Sequence, residues 1–208
     1  MKIAVIGATG RAGSRILTEA KNRRHDVTAI VRNAAKLADS DTKSLEKDIF
    51  SLQAADLEPF DAVVNAFGTD SSQNHLHLEA AKHLVSLLKG KEKPRLLIVG
   101  GAGSLLVDDQ GTKVSSTPNF PPAYLPTATA MGEELVFLRT IDNVNWTFFS
   151  PAAEFGPGER TGQFRLGKDH LLTDAQGQSH ISMEDYAIAL VDEIEHPYHI
   201  RERFTIGY

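Results

Sequence analysis

The chain of 208 residues has the length of one domain, and its 41% hydrophobic and 24% charged residues are the balance of a globular protein. A net charge of −5 argues against nucleic acid or an anionic membrane as the main partner, and the lack of Cys excludes disulfides, a thiolate nucleophile and Cys-ligated metals. No apolar run is long enough to span a membrane and no leader segment precedes the first predicted strand, so we expect a cytoplasmic protein.

A glycine turn lies between the first predicted strand, 3–6, and a helix predicted over 11–24. The spacing Gly7-x-x-Gly10-x-x-Gly13 stands in the strand–turn–helix setting of a dinucleotide-binding fingerprint. The first glycine permits a tight turn, the second lets the backbone approach a pyrophosphate, and the third lets the helix pack close to the sheet. The helix N-terminus then faces the phosphates. The alternative is a glycine turn that binds no ligand.

The second predicted strand, 26–31, ends at a residue that selects between dinucleotides. An Asp or Glu roughly 20 residues after the glycines binds the ribose hydroxyls in NAD-preferring folds. Here that position holds Arg32, nineteen residues after Gly13, with Lys36 close behind. A guanidinium binds phosphate in a bidentate manner, so we expect NADP(H) to be favoured, with NAD(H) possible. Arg11 could reach the same region, and the alternative for Arg32 is a solvated charge.

Two further strands, predicted over 43–47 and 61–67, end at candidate cofactor contacts. The first is followed by Asp48 and Ile49, a pair of the kind that touches adenine, although Asp48 could instead cap a short helix over 51–57. The second ends in residues that leave room for a cofactor at the edge where open parallel sheets bind ligands. These residues are Ala66, Phe67 and Gly68.

An amphipathic helix predicted over 74–89 has three histidines on or near it. His75 and His77 are two positions apart and therefore point to different sides of a helix, so they cannot chelate one metal there. His83 alone makes no site. We therefore predict that the protein has no metal centre.

A second glycine cluster, at 100–103, follows the strand predicted over 96–99 and is expected to keep space clear beside a nicotinamide. The proline-rich segment 105–126 is predicted as a loop over the site. The six alternations of strand and helix up to residue 150 predict a doubly wound α/β fold with a parallel sheet. The last two of these elements are a helix over 128–141 and a strand over 145–150.

The last part of the chain changes character. Residues 154–181 are predicted as a small irregular addition with one or two strands. Ser182 and Asp185 resemble an acidic capping box and begin a helix that reaches about residue 195, before a final strand over 203–208. We expect a single domain with two parts, a dinucleotide-binding core over 1–150 and a substrate-side addition over 151–208.

Five segments carry a family resemblance: Gly-Ala-Thr-Gly-Arg-Ala-Gly at 7–13, Val-Arg at 31–32, Val-Gly-Gly-Ala-Gly-Ser at 99–104, Trp-Thr-Phe-Phe-Ser-Pro-Ala at 146–152 and His-Ile-Ser-Met-Glu-Asp-Tyr-Ala at 180–187. Together they resemble the atypical short-chain dehydrogenases/reductases, within the branch of NADH-flavin reductases, biliverdin reductase B and NmrA-like proteins. The resemblance covers essentially the whole chain. The first segment is shared by many relatives, whereas the last two are more particular to the flavin reductases.

The resemblance implies a Rossmann-type fold, a bound nicotinamide dinucleotide and a set of contacts to it. The branch is named for NADH, but Arg32 at the expected 2′-phosphate position favours NADPH. The other implied contacts are Gly7, Thr9, Gly10, Arg11 and Ala12 to the pyrophosphate, with Gly13 beneath them, Asp48 and Ile49 to adenine, Ala66, Phe67 and Gly68 to ribose, and Gly100, Gly101, Ser150, Pro151 and Ala152 to the nicotinamide.

The chain departs from alcohol- and ketone-reducing members at their Tyr-x-x-x-Lys pair, in which Lys lowers the pKa of the Tyr that shuttles a proton. Tyr124 is followed four residues on by Ala128, and no Tyr has Lys at that spacing, so carbonyl reduction is disfavoured. Hydride transfer to a flavin needs stacking on the nicotinamide and can take its proton from water. Ser104 and Tyr124 are the candidate catalytic residues, and an ordinary loop role is the alternative for each.

Glu154, Phe155 and Arg160 follow the sixth predicted strand and are candidate substrate-pocket residues. Phe155 could stack on a planar ring or pack in the core, and Arg160 could attract an anionic tail. Two functions fit: an NADPH-dependent reductase whose small-molecule acceptor is a flavin substrate or similar planar compound, or a non-catalytic NADP sensor of NmrA type. An epimerase or dehydratase fits less well, because those enzymes also use the Tyr-Lys pair. The sequence does not determine the oligomeric state.

Overall fold

The computed structural model describes residues 1–208, and none of its helices is both long and apolar enough to cross a membrane. The α-helices are α1 (Arg11–Asn22), α2 (Ala54–Leu57), α3 (Leu76–Leu88), α4 (Leu125–Leu138) and α5 (Met183–Glu195). The strands are β1 (Lys2–Ile6), β2 (Asp26–Val31), β3 (Ser44–Glu46), β4 (Ala62–Asn65), β5 (Arg95–Val99), β6 (Trp146–Ser150), β7 (Glu154–Gly156), β8 (Arg165–Gly167), β9 (His180–Ser182) and β10 (Glu202–Gly207).

Eight strands form one twisted sheet in the order β3-β2-β1-β4-β5-β6-β10-β8. Every neighbouring pair is parallel except β10 and β8. The predicted doubly wound parallel sheet is therefore confirmed. The chain order reverses between β1 and β4, and such a switch point is where open α/β sheets bind ligands, outside the carboxyl ends of the strands.

The strands are apolar on both faces because helices cover both faces. Since successive side chains of a strand point to opposite sides, Ile3 and Val5 of β1 pack in the layer of α1 and α5. Ala4 and Ile6 of the same strand pack in the layer of α3 and α4. The carboxyl edge of the sheet is thus held rigidly between two layers of helices.

The main difference from the predicted elements is α4. The sequence predicts this helix over 128–141, but it begins at Leu125 and ends at Leu138. Pro126 lies in the first turn, where its missing N–H breaks no hydrogen bond of the helix. The last proline of the proline-rich segment therefore helps to begin the helix instead of marking a loop.

The C-terminal addition contains three short strands, not one or two. β7 pairs with β9 in a separate two-stranded sheet, and β8 joins the edge of the main sheet beside β10. The predicted cap of α5 is confirmed, since Ser182 Oγ accepts the Asp185 N–H at 3.0 Å. The Asp185 carboxylate does not return the bond to Ser182, and instead accepts the N–H groups of Thr161 and Gly162. The N-terminus of α5 thereby holds the addition in place.

Candidate active site

Glycine is needed at the three positions of the first turn for different physical reasons. Gly7 has a φ of +73°, a conformation that favours glycine, and a Cβ there would lie 2.4 Å from the carbonyl oxygen of Ala66. A Cβ at Gly13 would lie 2.2 Å from the carbonyl oxygen of Gly7, so this glycine lets α1 approach the turn. A Cβ at Gly10 would meet only that same oxygen, at 3.1 Å. Gly7 and Gly13 therefore serve the fold, while Gly10 leaves open space for a ligand.

A groove of about 450 Å³ runs along the carboxyl ends of β1, β2, β4 and β5. It begins at the N-terminus of α1, which has no side-chain cap and no acidic residue in its first turn, so its N–H groups are available to an anion. The structure brings together here most of the predicted cofactor residues. They are Gly7, Thr9, Gly10, Arg11, Ala12, Arg32, Asp48, Ile49, Ala66, Phe67 and Gly68.

Three cationic side chains line the groove, and they differ in their partners. Lys47 Nζ lies 2.8 Å from both carboxylate oxygens of Asp56. The guanidinium groups of Arg11 and Arg32 are exposed and have no hydrogen-bond or ion-pair partner in the structure. Arg32 directly follows β2, at the position where dinucleotide-binding folds distinguish NADP from NAD. The open glycine, the uncapped helix and the free guanidinium groups together fit a phosphorylated dinucleotide.

Asp48 caps a turn and also lies on the groove, where its contact with adenine stays a prediction. Its Oδ1 accepts the N–H of Phe50 at 2.9 Å and caps a 3₁₀ turn over Ile49–Ser51. It also lines the groove. The short helix predicted over 51–57 is therefore this turn followed by α2.

One wall of the groove consists of two rings, Phe67 and His77, which meet edge to face with their centroids 5.8 Å apart. Asn65 Oδ1 accepts the N–H of Phe67 at 3.1 Å and fixes the chain after β4. His77 is buried, and burial lowers its pKa, which keeps the ring uncharged at neutral pH. From the sequence, His77 is weighed only as a metal ligand. Its position in the first turn of α3, at the carboxyl edge of the sheet, could have predicted that it lies on the groove.

A second cavity, of about 470 Å³, adjoins the groove and shares Thr127 and Met131 of α4 with it. Tyr124 lies at its rim with 66% of its surface exposed, and Ala128 lines it where carbonyl reducers have Lys. No sequence motif indicates Thr127 or Met131, and only the position of α4 after a parallel strand points to them. The other lining residues are Gly101, Ala102, Gly103, Val114, Thr117, Asn119, Phe120, Pro121, Ala153 and Glu154.

The glycines of the second cluster, 100–103, allow neighbouring elements to pack closely. A Cβ at Gly100 would lie 2.2 Å from the ring of Phe148, and a Cβ at Gly103 would lie 2.6 Å from a side chain of α4. These glycines therefore have a packing role in addition to the predicted one of keeping space clear beside a nicotinamide, which stays a prediction. They let β6 and α4 close on the end of β5, and Gly101 and Gly103 alone of the cluster's glycines reach the second cavity.

Ser104 and Ser150 lie outside both cavities because Arg203 of β10 binds them. Its guanidinium donates to both Oγ atoms at 3.4 Å and to the carboxylate of Asp169 at 2.6 Å. The Arg203 side chain is 2% exposed, so this network belongs to the interior. Ser104 is half-buried and its catalytic role stays a prediction, whereas the structure buries three residues predicted to contact the nicotinamide. These are Ser150, Pro151 and Ala152.

The three predicted substrate-pocket residues separate in the structure. Glu154 lines the second cavity, but Arg160 lines none, because it donates two bonds of 2.9 Å to the carboxylate of Glu19 on α1. This bond lowers the pKa of Glu19, and it contradicts the expectation that Arg160 attracts an anionic tail. Phe155 packs against Tyr186 with ring centroids 4.8 Å apart. It also lines a third cavity of about 540 Å³ along β7 and β9, which shares Glu154 with the second.

Comparison with known proteins agrees with this geometry. A family model described as NAD(P)H-binding matches residues 7–197. The uncharacterised protein YwnB of Bacillus subtilis is 56% identical over 208 residues, which cover 99% of this chain and 98% of that protein. A crystal structure from Streptococcus pneumoniae, provisionally described as an NADH-flavin reductase, has 44% identity, covers 100% of this chain and 99% of its own, and superimposes with a TM-score of 0.94. A Bacteroides thetaiotaomicron protein provisionally described as an epimerase has 42% identity, coverages of 100% and 96%, and a TM-score of 0.87.

Proposed function

The chain belongs to the NAD(P)H-binding family, as an atypical short-chain dehydrogenase/reductase, and we propose that it is an NADPH-dependent oxidoreductase that reduces a flavin or a similar planar acceptor. The observation that carries the proposal is the wall shared by two cavities, since Thr127 and Met131 line both. A dinucleotide in the groove and an acceptor in the second cavity would lie against the same helix, and direct transfer requires such proximity. The provisional name of the pneumococcal relative supports the same chemistry.

The preference for NADPH rests on Arg32. Its guanidinium is exposed and unpaired at the end of β2, where an NAD-preferring fold has a carboxylate for the ribose hydroxyls. The name of the pneumococcal relative specifies NADH. A free guanidinium in this position supports the phosphorylated dinucleotide instead, because it can bind the 2′-phosphate with two parallel hydrogen bonds.

The chain contributes binding and orientation to the reaction. When bound, a dihydronicotinamide would supply a hydride and be left oxidised, and the acceptor that gains this hydrogen and two electrons would take one proton from water. Tyr124 has Ala128 in place of an activating Lys, so no side chain here is arranged as the proton donor of a carbonyl reducer. Residues of the segment 114–121 line the second cavity and would contact an acceptor bound there.

The test is oxidation of NADPH and of NADH with riboflavin as acceptor, in the wild type, Arg32→Ala and Lys89→Ala. Lys89 is an exposed, unpaired cation at the far end of α3, so its variant is a control for the change in charge. Loss of a charge-assisted phosphate contact is expected to lower the ratio of kcat/KM for NADPH to that for NADH by roughly 10- to 100-fold in Arg32→Ala. The control is expected to keep the wild-type ratio.

Two outcomes would contradict the proposal. Tight NADPH binding without turnover of any flavin or quinone would indicate a dinucleotide sensor and not an enzyme. An unchanged ratio in Arg32→Ala, with turnover intact, would remove the assignment of NADPH while leaving the reductase.

A further inference from the structure

The charged residues of the site are divided between its two ends. Arg11, Arg32 and Lys47 line the dinucleotide groove, where Asp48 is the one acidic residue. The second cavity has a single charged lining residue, Glu154. In the third cavity, which adjoins the second at that same residue, the lining Asp, Glu, Lys and Arg residues are limited to Glu154 and Glu159. The acceptor end therefore has only carboxylates among its fully charged groups.

The cations nearest along the chain do not compensate these carboxylates. Arg160 stands between two lining residues of the third cavity, but both of its bonded nitrogens contact Glu19. Lys113 precedes the lining residue Val114, yet its exposed side chain lines neither cavity. An anionic group on an acceptor would thus find no Lys or Arg among the lining residues, and it would approach a protein that already carries a net charge of −5.

We propose that the acceptor site selects planar acceptors without an anionic group, riboflavin and neutral quinones among them, and discriminates against the same ring carrying a phosphate, as in FMN. The inference rests on the proposed function, since it takes the second cavity as the acceptor site. Its cause is repulsion between the phosphate and Glu154 and Glu159. Both carboxylates are exposed, so the repulsion is weakened by salt.

Riboflavin and FMN are the matched probes, because they share one ring system and differ by a phosphate. We would measure kcat/KM for each with saturating NADPH, and the affinity of each for the NADP⁺-loaded protein from quenching of flavin fluorescence. At low ionic strength riboflavin is expected to be favoured by roughly 5- to 10-fold in both measurements, and high salt is expected to bring the ratio close to one.

Two variants assign the effect to its residue. Glu154→Gln is expected to reduce the preference for riboflavin about twofold or more at low ionic strength, since one of the two facing charges is removed. Glu92→Gln makes the same change in net charge on an exposed residue before β5, at the amino ends of the strands and away from both cavities. It is expected to keep the wild-type preference.

The outcomes separate this inference from the proposed function. Turnover of both flavins with FMN equal to or better than riboflavin overturns the inference and leaves the reductase. Absence of turnover with both flavins and with a neutral quinone overturns the reductase, and the binding measurement then decides the inference alone. Tighter riboflavin binding supports an uncharged ligand, whereas tighter FMN binding, or binding of neither flavin, overturns it.

Discussion

The dinucleotide groove and the second cavity, which we propose as the acceptor site and call the acceptor cavity, are of similar size, about 450 and 470 Å³, but they are built differently. Most residues of the groove lie at or just after the ends of β1, β2, β3 and β4, within short segments of the chain. The acceptor cavity is lined by residues 101–103 after β5, by the segment 114–121, by α4 and by the start of β7. The groove is defined by local geometry, and the acceptor cavity by how distant segments happen to pack.

This difference determines how each region responds to substitution. Local backbone geometry tolerates almost no added atoms, because the nearest neighbours are carbonyl oxygens that cannot move independently. A cavity lined by side chains can adjust by changing rotamers. Substitutions in the glycine turn should therefore have large effects, on stability or on dinucleotide binding. Substitutions around the acceptor cavity should have smaller effects.

The largest effects are expected in the glycine turn, where two substitutions distinguish a glycine that leaves space for a ligand from one that allows close packing. Gly13→Val places a side chain against the Gly7 carbonyl oxygen and is expected to lower the free energy of unfolding by about 3 kcal/mol or more. Gly10→Val starts from a residue with an ordinary φ of −78° and places its Cβ 3.1 Å from the same oxygen, a much smaller conflict than the 2.2 Å at Gly13. It is expected to keep the wild-type Tm within a few degrees and to weaken NADPH binding at least about 100-fold, as measured by calorimetric titration. Equal loss of stability in both variants would contradict this division.

A second prediction concerns the support behind the acceptor cavity. Arg203 is buried and binds Asp169, whereas Arg139 binds the same carboxylate at 2.8 Å from an exposed position. Arg203→Met is expected to lower the free energy of unfolding by about 2 kcal/mol, because Ser104 and Ser150 lose a buried donor as well. Arg139→Met serves as the matched control and is expected to cost about 0.5 kcal/mol or less in urea unfolding. Similar losses in the two variants would show that the buried network adds nothing.

The smallest effect is expected in α4, the helix that both regions share. Glu134 lies one turn after Met131 in the interior, its Oε2 has no hydrogen-bond partner, and burial raises its pKa to about 8 from an ordinary value of 4.5. The folded protein therefore keeps a proton that the unfolded chain releases, so this contribution to stability is complete below pH 4.5 and is lost as the pH rises through about 8.

Glu134→Gln removes this dependence because the amide does not titrate. In urea unfolding, the free energy of unfolding of the wild type is expected to fall by about 1 kcal/mol relative to that of the variant as the pH rises from roughly 6.5 to 7.5. Glu133→Gln changes the exposed neighbouring carboxylate and is expected to follow the wild-type profile. Parallel profiles for Glu134→Gln and the wild type would show that the carboxylate is solvated.

Much of the fold follows from the sequence because its signals are local. The short apolar runs predict the central strands, and Ser182 predicts the start of α5, since a cap depends on residues three positions apart. Pro126 misleads because a proline in the first turn of a helix and a proline in a loop look alike in sequence. The third strand of the addition is missed because β8 is three residues long and is stabilised by pairing with β10.

Site residues are likewise predictable where their positions depend on neighbours in the sequence. Gly7, Gly10, Arg32 and Asp48 follow strand ends whose geometry is fixed by neighbouring residues, and they converge on one groove. The position of Arg160 depends on Glu19, which is 141 positions away, and that of Ser104 on Arg203, which is 99 away. No local pattern carries such information, because it comes from packing of the complete chain.

The two outer strands of the main sheet have a consequence for behaviour at high protein concentration. Both β3 and β8 are only three residues long, and they are the two edges of the eight-stranded sheet. An exposed edge promotes aggregation by offering unpaired N–H and C=O groups to another chain. Short edges present few such groups, so the eight-stranded sheet provides little template for intermolecular strand addition.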